Sequence, residues 1–215
     1  MKNALMATAA AALAAFAVAG SANAAVNVSY TSDDLNLPAG QTMVWNFDGV
    51  EADGYSVSTT GTVSYYSGAD GLQSGVAAPP PGDNSIYASV LGGGSLTLTT
   101  PAIKLLSVYM GSPDAYNSIL FNFSDNTSEL LNGAQLAGGA FGGDQSIGRR
   151  MTYTFGGKTV TSVDFMSSQN SFEFDNIATV SAVPEPATWA MMIMGFGLAG
   201  SAVRNSRRKT AAAFA

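Results

Sequence analysis

The stretch GSLTLTTPAIKLLSVYMGSPDAYNSILFNFSD (94–125) decides the fold class. Leu96 and Leu98 alternate with Ser95, Thr97 and Thr99, and Ile119, Phe121 and Phe123 alternate with Ser118, Leu120 and Asn122. Residues two apart share one face of a strand, and the chain here shows almost no sustained helical periodicity. Gly111-Ser112-Pro113 supplies a turn signal. The stretch therefore predicts strands over 95–100, 103–110 and 118–123, with Pro101 in the gap between the first two.

Outward from it the same pattern recurs. Further strands are expected at 26–30, 41–48, 55–66 with a break at Gly61, 85–90, 127–131, 151–155, 159–166 and 171–181. Asp53-Gly54, Gly92-Gly93-Gly94, Asp125-Asn126 and Gly156-Gly157 punctuate them. Many short strands at this spacing argue for an all-β domain, a β-sandwich or jelly roll, over residues 25–181. AAPPPGDN (77–84) reads as a rigid surface connection, and LAGGAFGGDQSIG (136–148) as a mobile loop.

Composition narrows the chemistry. The chain holds no Cys and no His, which removes disulfides, the usual zinc sites, a Ser-His-Asp triad and a thiolate nucleophile. Between Ala25 and Val183 fourteen acids oppose four bases, a net charge of −10. Such a surface repels nucleic acid, so no nucleic-acid partner is expected. Hard-cation binding and carboxylate acid–base work remain open.

The two ends carry targeting features. Lys2, the alanine-rich stretch Ala4 to Gly20 and the small-x-small triplet Ala22-Asn23-Ala24 predict a signal helix over 1–24, cleaved after Ala24. At the other end Pro184-Glu185-Pro186 precedes Ala187-Thr188-Trp189-Ala190, the apolar run MMIMGFGLAGSAV (191–203) and the bases Arg204, Arg207, Arg208 and Lys209. The prolines stop the preceding strand. Residues 187–203 are expected to form a transmembrane helix with the bases on the cytoplasmic side. At 17 residues the span is at the short end, and Gly195, Gly197 and Gly200 weaken it, which suits a temporary hold. Residues 210–215 are expected to be a disordered tail.

Residues 182–209 resemble the PEP-CTERM sorting signal of Gram-negative bacteria, in the variant with Trp-Ala after the second proline; the motif residues are Pro184, Glu185, Pro186, Trp189 and Ala190. The resemblance implies export, passage through the inner membrane, and processing by an exosortase near Pro184-Glu185-Pro186. It further implies a place at the cell surface or in an exopolysaccharide matrix, as in biofilms. The body is similar, over two short pieces, to carbohydrate-binding-like jelly rolls: LLSVYMGSPDAYNSILFNFSD (105–125) and SFEFDNIATVSAVPEP (171–186).

In many sandwiches of that kind an Asp on the last strand and an acid near the first share a structural Ca2+. The resemblance assigns those places to Asp175 and Asp48. Two carboxylates with backbone carbonyls can supply the six to eight oxygens calcium takes; Asp175 and Asn176 can equally serve only as turn or edge residues. Asp114, Tyr116 and Asn117 form a polar-aromatic cluster that suits a glycan contact or, as readily, a turn ordering two core strands. Trp45 is expected in the core. No spacing among Asp48, Glu51, Asp164, Glu173 and Asp175 fixes a catalytic pair, so catalytic residues are not expected. The expected role is structural or adhesive, with a lectin-like module, and then a glycoside-active enzyme, as the alternatives.

Overall fold

The computed structural model describes residues 25–32, 35–111, 113–138, 148–182 and 186–212. The expected signal peptide (1–24), most of the glycine-rich loop (139–147), Pro184, Glu185 and residues 213–215 lie outside the described residues. Among the described residues eleven strands make one antiparallel sheet: β1 (Asn27–Ser32), β2 (Thr42–Trp45), β3 (Ser56–Thr60), β4 (Val63–Ser67), β5 (Ile86–Val90), β6 (Gly94–Met110), β7 (Asn117–Phe123), β8 (Ser128–Asn132), β9 (Arg149–Thr154), β10 (Val160–Ser167) and β11 (Phe172–Ser181). Among the described residues two α-helices join them, the short α1 (Gly133–Leu136) and α2 (Pro186–Ala212).

The strands match the expected ones closely, with one informative difference. Where two strands separated by Pro101 were expected, β6 runs unbroken for 17 residues. Proline has no N–H to give to a ladder. Here none is required, because Thr99 pairs with Ser162 and Ile103 with Val160, and the register shifts at a bulge between them. The first half of β6 lies between β3 and β10, and the second between β9 and β11.

That change of partners folds the sheet over. Phe165 on β10 is in register with Leu96, and Phe174 on β11 with Met110, fourteen residues further along the same strand. A straight strand would hold those two points roughly 46 Å apart at about 3.3 Å per residue. The rings of Phe165 and Phe174 nevertheless stack with centroids 4.3 Å apart. Phe121 on β7 likewise meets Tyr153 on β9 at 5.1 Å. The two halves thus face each other across a single core that includes Leu96, Leu98, Val108, Phe121, Tyr153 and Phe165. Trp45 packs against that core, partly buried, as expected.

The proline-rich segment departs from its expected place on the surface. Tyr109 donates its hydroxyl hydrogen to the Pro81 carbonyl at 2.6 Å, and Asp83 is only 5% exposed. The reason lies beneath it. The back of the second half of β6 carries Ser107 and Tyr109, flanked by Arg150 on β9 and Asp175 on β11, all buried. Buried polar groups need partners, and a proline-rich strap offers carbonyls without N–H groups that need partners of their own.

At the start of the domain, Glu129 on β8 accepts the Ala25 and Val26 amides at 2.7 and 3.2 Å. At its end, the tail corrects one expectation. Helix α2 runs from Pro186 through Ala212, and the rest of the expected tail, 213–215, lies outside the described residues. Among the described residues no helix is long and apolar enough to cross a membrane, where a transmembrane helix was expected over 187–203. Gly195, Gly197, Gly200 and Ser201 dilute the run, and Arg204 ends it.

Truncating the cross-core stack tests this architecture. Phe165→Ala is expected to cost about 3–5 kcal/mol, read by calorimetry as a Tm fall of about 10 °C. Changing Tyr65, 48% exposed on β4 at the end of the strand order, to Ala should cost under about 1 kcal/mol.

Candidate functional site

Among the described residues outside the core, three places of the β domain could support chemistry. The first lies under the strap. On β11, Glu173 and Asp175 alternate with the core residues Phe172 and Phe174, so both point to the back of the sheet. Asp175 is fully buried. The Ser85 hydroxyl bridges it to Asp83: its Oγ lies 2.9 Å from Asp175 Oδ2 and also contacts Asp83 Oδ1. The Ser85 amide adds a hydrogen bond to Asp83 at 2.9 Å. Burial pushes the Asp175 carboxyl well above the usual carboxylate range, and the Asp83 charge adds to the shift. Asp83 Oδ2 and Asp175 Oδ1 are buried and accept no hydrogen bond.

Asp83 is the acid that sequence reasoning missed. Asp48, the expected companion of Asp175, instead accepts the Ile86 amide with both oxygens at 3.1 Å, one residue along from Ser85. Among the described residues no three His, Cys, Asp or Glu side chains gather to hold a metal ion. The acids that meet are a pair.

The second place is a cleft of about 270 Å³ beside the strap, walled by Leu72, Gln73, Tyr116, Asn170, Ser171 and Glu173. Glu173 accepts the Ala78 amide at 3.3 Å and a hydrogen bond from Ser171 Oγ. Burial raises its carboxyl to about 6, with the charge of Asp114 adding to the rise. Tyr116 Oη lies 2.7 Å from Asp114 Oδ2 and 3.0 Å from the Asn170 carbonyl, and burial followed by that carboxylate raises its pKa.

Of the three residues expected to meet a glycan, the structure thus sets Tyr116 in the cleft wall with Asp114 bound to its hydroxyl. Asn117 does something else. It is fully buried; its Oδ1 accepts the Asp114 amide at 2.6 Å, and its Nδ2 donates to Ser167 Oγ and the Ser171 carbonyl at 3.0 and 3.1 Å. Its amide ties the turn before β7 to the loop between β10 and β11, leaving no group for a ligand.

The third place is the outer face of β3, the first half of β6, β10, β7 and β8. Registers align Ser58, Thr97, Asp164, Leu120 and Leu130 in one row across it, and Ser56, Thr99, Ser162, Asn122 and Ser128 in another. Asp164 is the single charge in these rows, and it accepts hydrogen bonds from Thr97 and Asn122. The face is a lattice of hydroxyls and amides with an apolar pair at one edge.

The tail follows β11 directly. Pro186 opens helix α2, a place where the missing N–H costs nothing. Trp189, Met191, Ile193, Phe196 and Leu198 are all exposed, between 56% and 73%. Pro184 and Glu185 lie outside the described residues, as do the side chains of Arg207, Arg208 and Lys209; Arg204 is exposed.

No curated protein sequence matches the chain. Among solved structures, a peptidoglycan O-acetylesterase aligns with 70% of this chain at 15% identity and a TM-score of 0.34; the chain spans 40% of that protein's length. A family model of the PEP-CTERM protein-sorting motif matches residues 182–209. The chain therefore carries at its C-terminus a PEP-CTERM sorting motif, the mark of an exported protein sorted by an exosortase.

Proposed function

We propose that the β domain is a structural or adhesive component of the cell surface or exopolysaccharide matrix, delivered there by its tail and without catalytic activity of its own. The carrying observation is the direct join between β11, which ends at Ser181, and the sorting motif, which starts at residue 182. No spacer separates the domain from the signal, so the folded sheet itself is the cargo. We read the folded-over sheet as a sandwich of the jelly-roll kind. Its hydroxyl- and amide-rich outer face suits many weak contacts with neutral polysaccharide, since such groups exchange hydrogen bonds with sugar hydroxyls.

The exposed apolar side chains of α2 need cover by lipid or protein. In this reading they are held at the inner membrane until the exosortase acts. The absence of a spent tail on the mature protein is the observable. Replacing Pro184, Glu185 and Pro186 together by Ala should leave the protein in the membrane fraction with its tail intact by mass spectrometry. Release of a trimmed product from that variant would sink the sorting step of this reading.

The cleft favours a second reading, a lectin-like module in which Tyr116 stacks on a sugar and Glu173 accepts its hydroxyls. Binding of the exported protein to a glycan array separates the two. The structural reading expects weak signals spread over many neutral polysaccharides. One tight glycan, lost by at least tenfold in both Glu173→Gln and Tyr116→Ala, would establish the lectin instead. Turnover of a polysaccharide, abolished by one carboxylate substitution, would overturn both.

A further inference from the structure

We infer that Glu129 is the receptor for the ammonium group that leader removal creates on Ala25, so that processing itself ties the first strand to the far edge of the sheet. The inference uses the cleavage expected after Ala24 and is independent of what the β domain binds.

Ala25 is the first residue after the expected leader, and it already has a place in the domain. It packs, partly buried, against the core beside Val26, which is 4% exposed. Its nitrogen lies 2.7 Å from Glu129 Oε2, and the Val26 amide reaches the same oxygen at 3.2 Å. The turn after β9 makes room for it: Gly156 has φ +54°, and a Cβ there would stand 3.1 Å from the Ala25 carbonyl oxygen. Any other residue would press on the chain at that point.

Glu129 is an unusual residue for its position. Along β8 it alternates with the exposed Leu130 and shares a face with the core residue Leu131. An acid turned inward needs a partner. Lys158 is taken by Asp125, in the turn between β7 and β8, at 3.0 Å, and among the described residues Glu129 forms no ion pair. With fourteen acids against four bases between Ala25 and Val183, a further cation is scarce.

Cleavage supplies one. While residue 25 is joined to a leader, its nitrogen is a peptide N–H with one hydrogen and no charge. Hydrolysis of the Ala24–Ala25 bond consumes one water and leaves a carboxylate on the leader and an amine on Ala25, which is protonated below about pH 8. The nitrogen then keeps its line to Oε2 and gains a positive charge, and a charge-assisted hydrogen bond is roughly twice as strong as a neutral one. Among the described residues β1 pairs only with β9, and β8 only with β7. The contact therefore joins two strands that share no ladder, and the cleaved form is stabilised over the precursor.

The test compares four full chains, exported from a bacterial host and purified in detergent. They are the wild type, Glu129→Gln, a variant with Gly-Ser-Gly inserted between Ala24 and Ala25, and the two changes combined. Gln keeps an oxygen for the two amides and removes the charge. The insertion keeps every side chain and moves the ammonium up to about 10 Å along the chain. Mass spectrometry, which checks the start of each chain, should find the wild type beginning at Ala25. Glu129→Gln should lower Tm by about 4 °C in the chain that begins at Ala25, and by under about 1 °C behind the insertion. The insertion alone should lower Tm by about 4 °C, and it carries the test should Glu129→Gln fail to fold. A wild type that begins at any other residue would overturn the inference. So would an unchanged Tm on insertion, or an equal loss from Glu129→Gln in both chains, since Glu129 would then serve only as an acceptor for two backbone amides.

Discussion

Everything in the domain hangs on β6 having to serve two sets of neighbours. A 17-residue strand is too long to stay on one side of a core of this size, so it bends near Pro101 and exchanges β3 and β10 for β9 and β11. The bend brings Phe165 onto Phe174 and Phe121 onto Tyr153. It also creates the back surface of the second half, where Tyr109, Arg150 and Asp175 lie in register across three strands. A sheet that has already used one face for the core must find cover for polar side chains on the other. The strap 77–84 is that cover, and the buried acids exist because of it.

The fold was legible where one face of a strand is wet. Leu96, Leu98, Ile119, Phe121 and Phe123 alternate with polar residues because their neighbours meet water, and period two betrays them. It was not legible where both faces are covered. From Leu106 to Met110 every residue of β6 is buried, so the alternation vanishes and only the composition remains. Continuity through Pro101 was invisible for a related reason: proline is read as a strand end, and whether its missing N–H matters depends on a partner strand that sequence does not supply.

The sites divide in the same way. The sorting motif is a linear signal, with motif, apolar run and basic end in fixed order, and it could be read directly. The site under the strap is made from a loop and a strand about ninety residues apart, so Asp175 could be named but Asp83 could not. Its one local hint was an acid in a proline-rich segment, which looks the same whether the segment is exposed or packed. Asn117 shows the converse. Its neighbours Asp114 and Tyr116 make it look like part of a binding cluster, yet burial turns its amide inward as a tie between two loops.

The join between β11 and the tail also has a mechanical side. Backbone bonds hold β11 to β6 along one edge and to β5 and β2 along the other, and Ala182 extends the contact by donating to the Ala102 carbonyl at 2.8 Å. Those bonds lie across the strand axis. A pull applied through the tail along that axis loads them together, in shear, and not one at a time as in peeling an edge strand. The join sits on a strand bordered on both sides, the position in a sheet best able to bear tension.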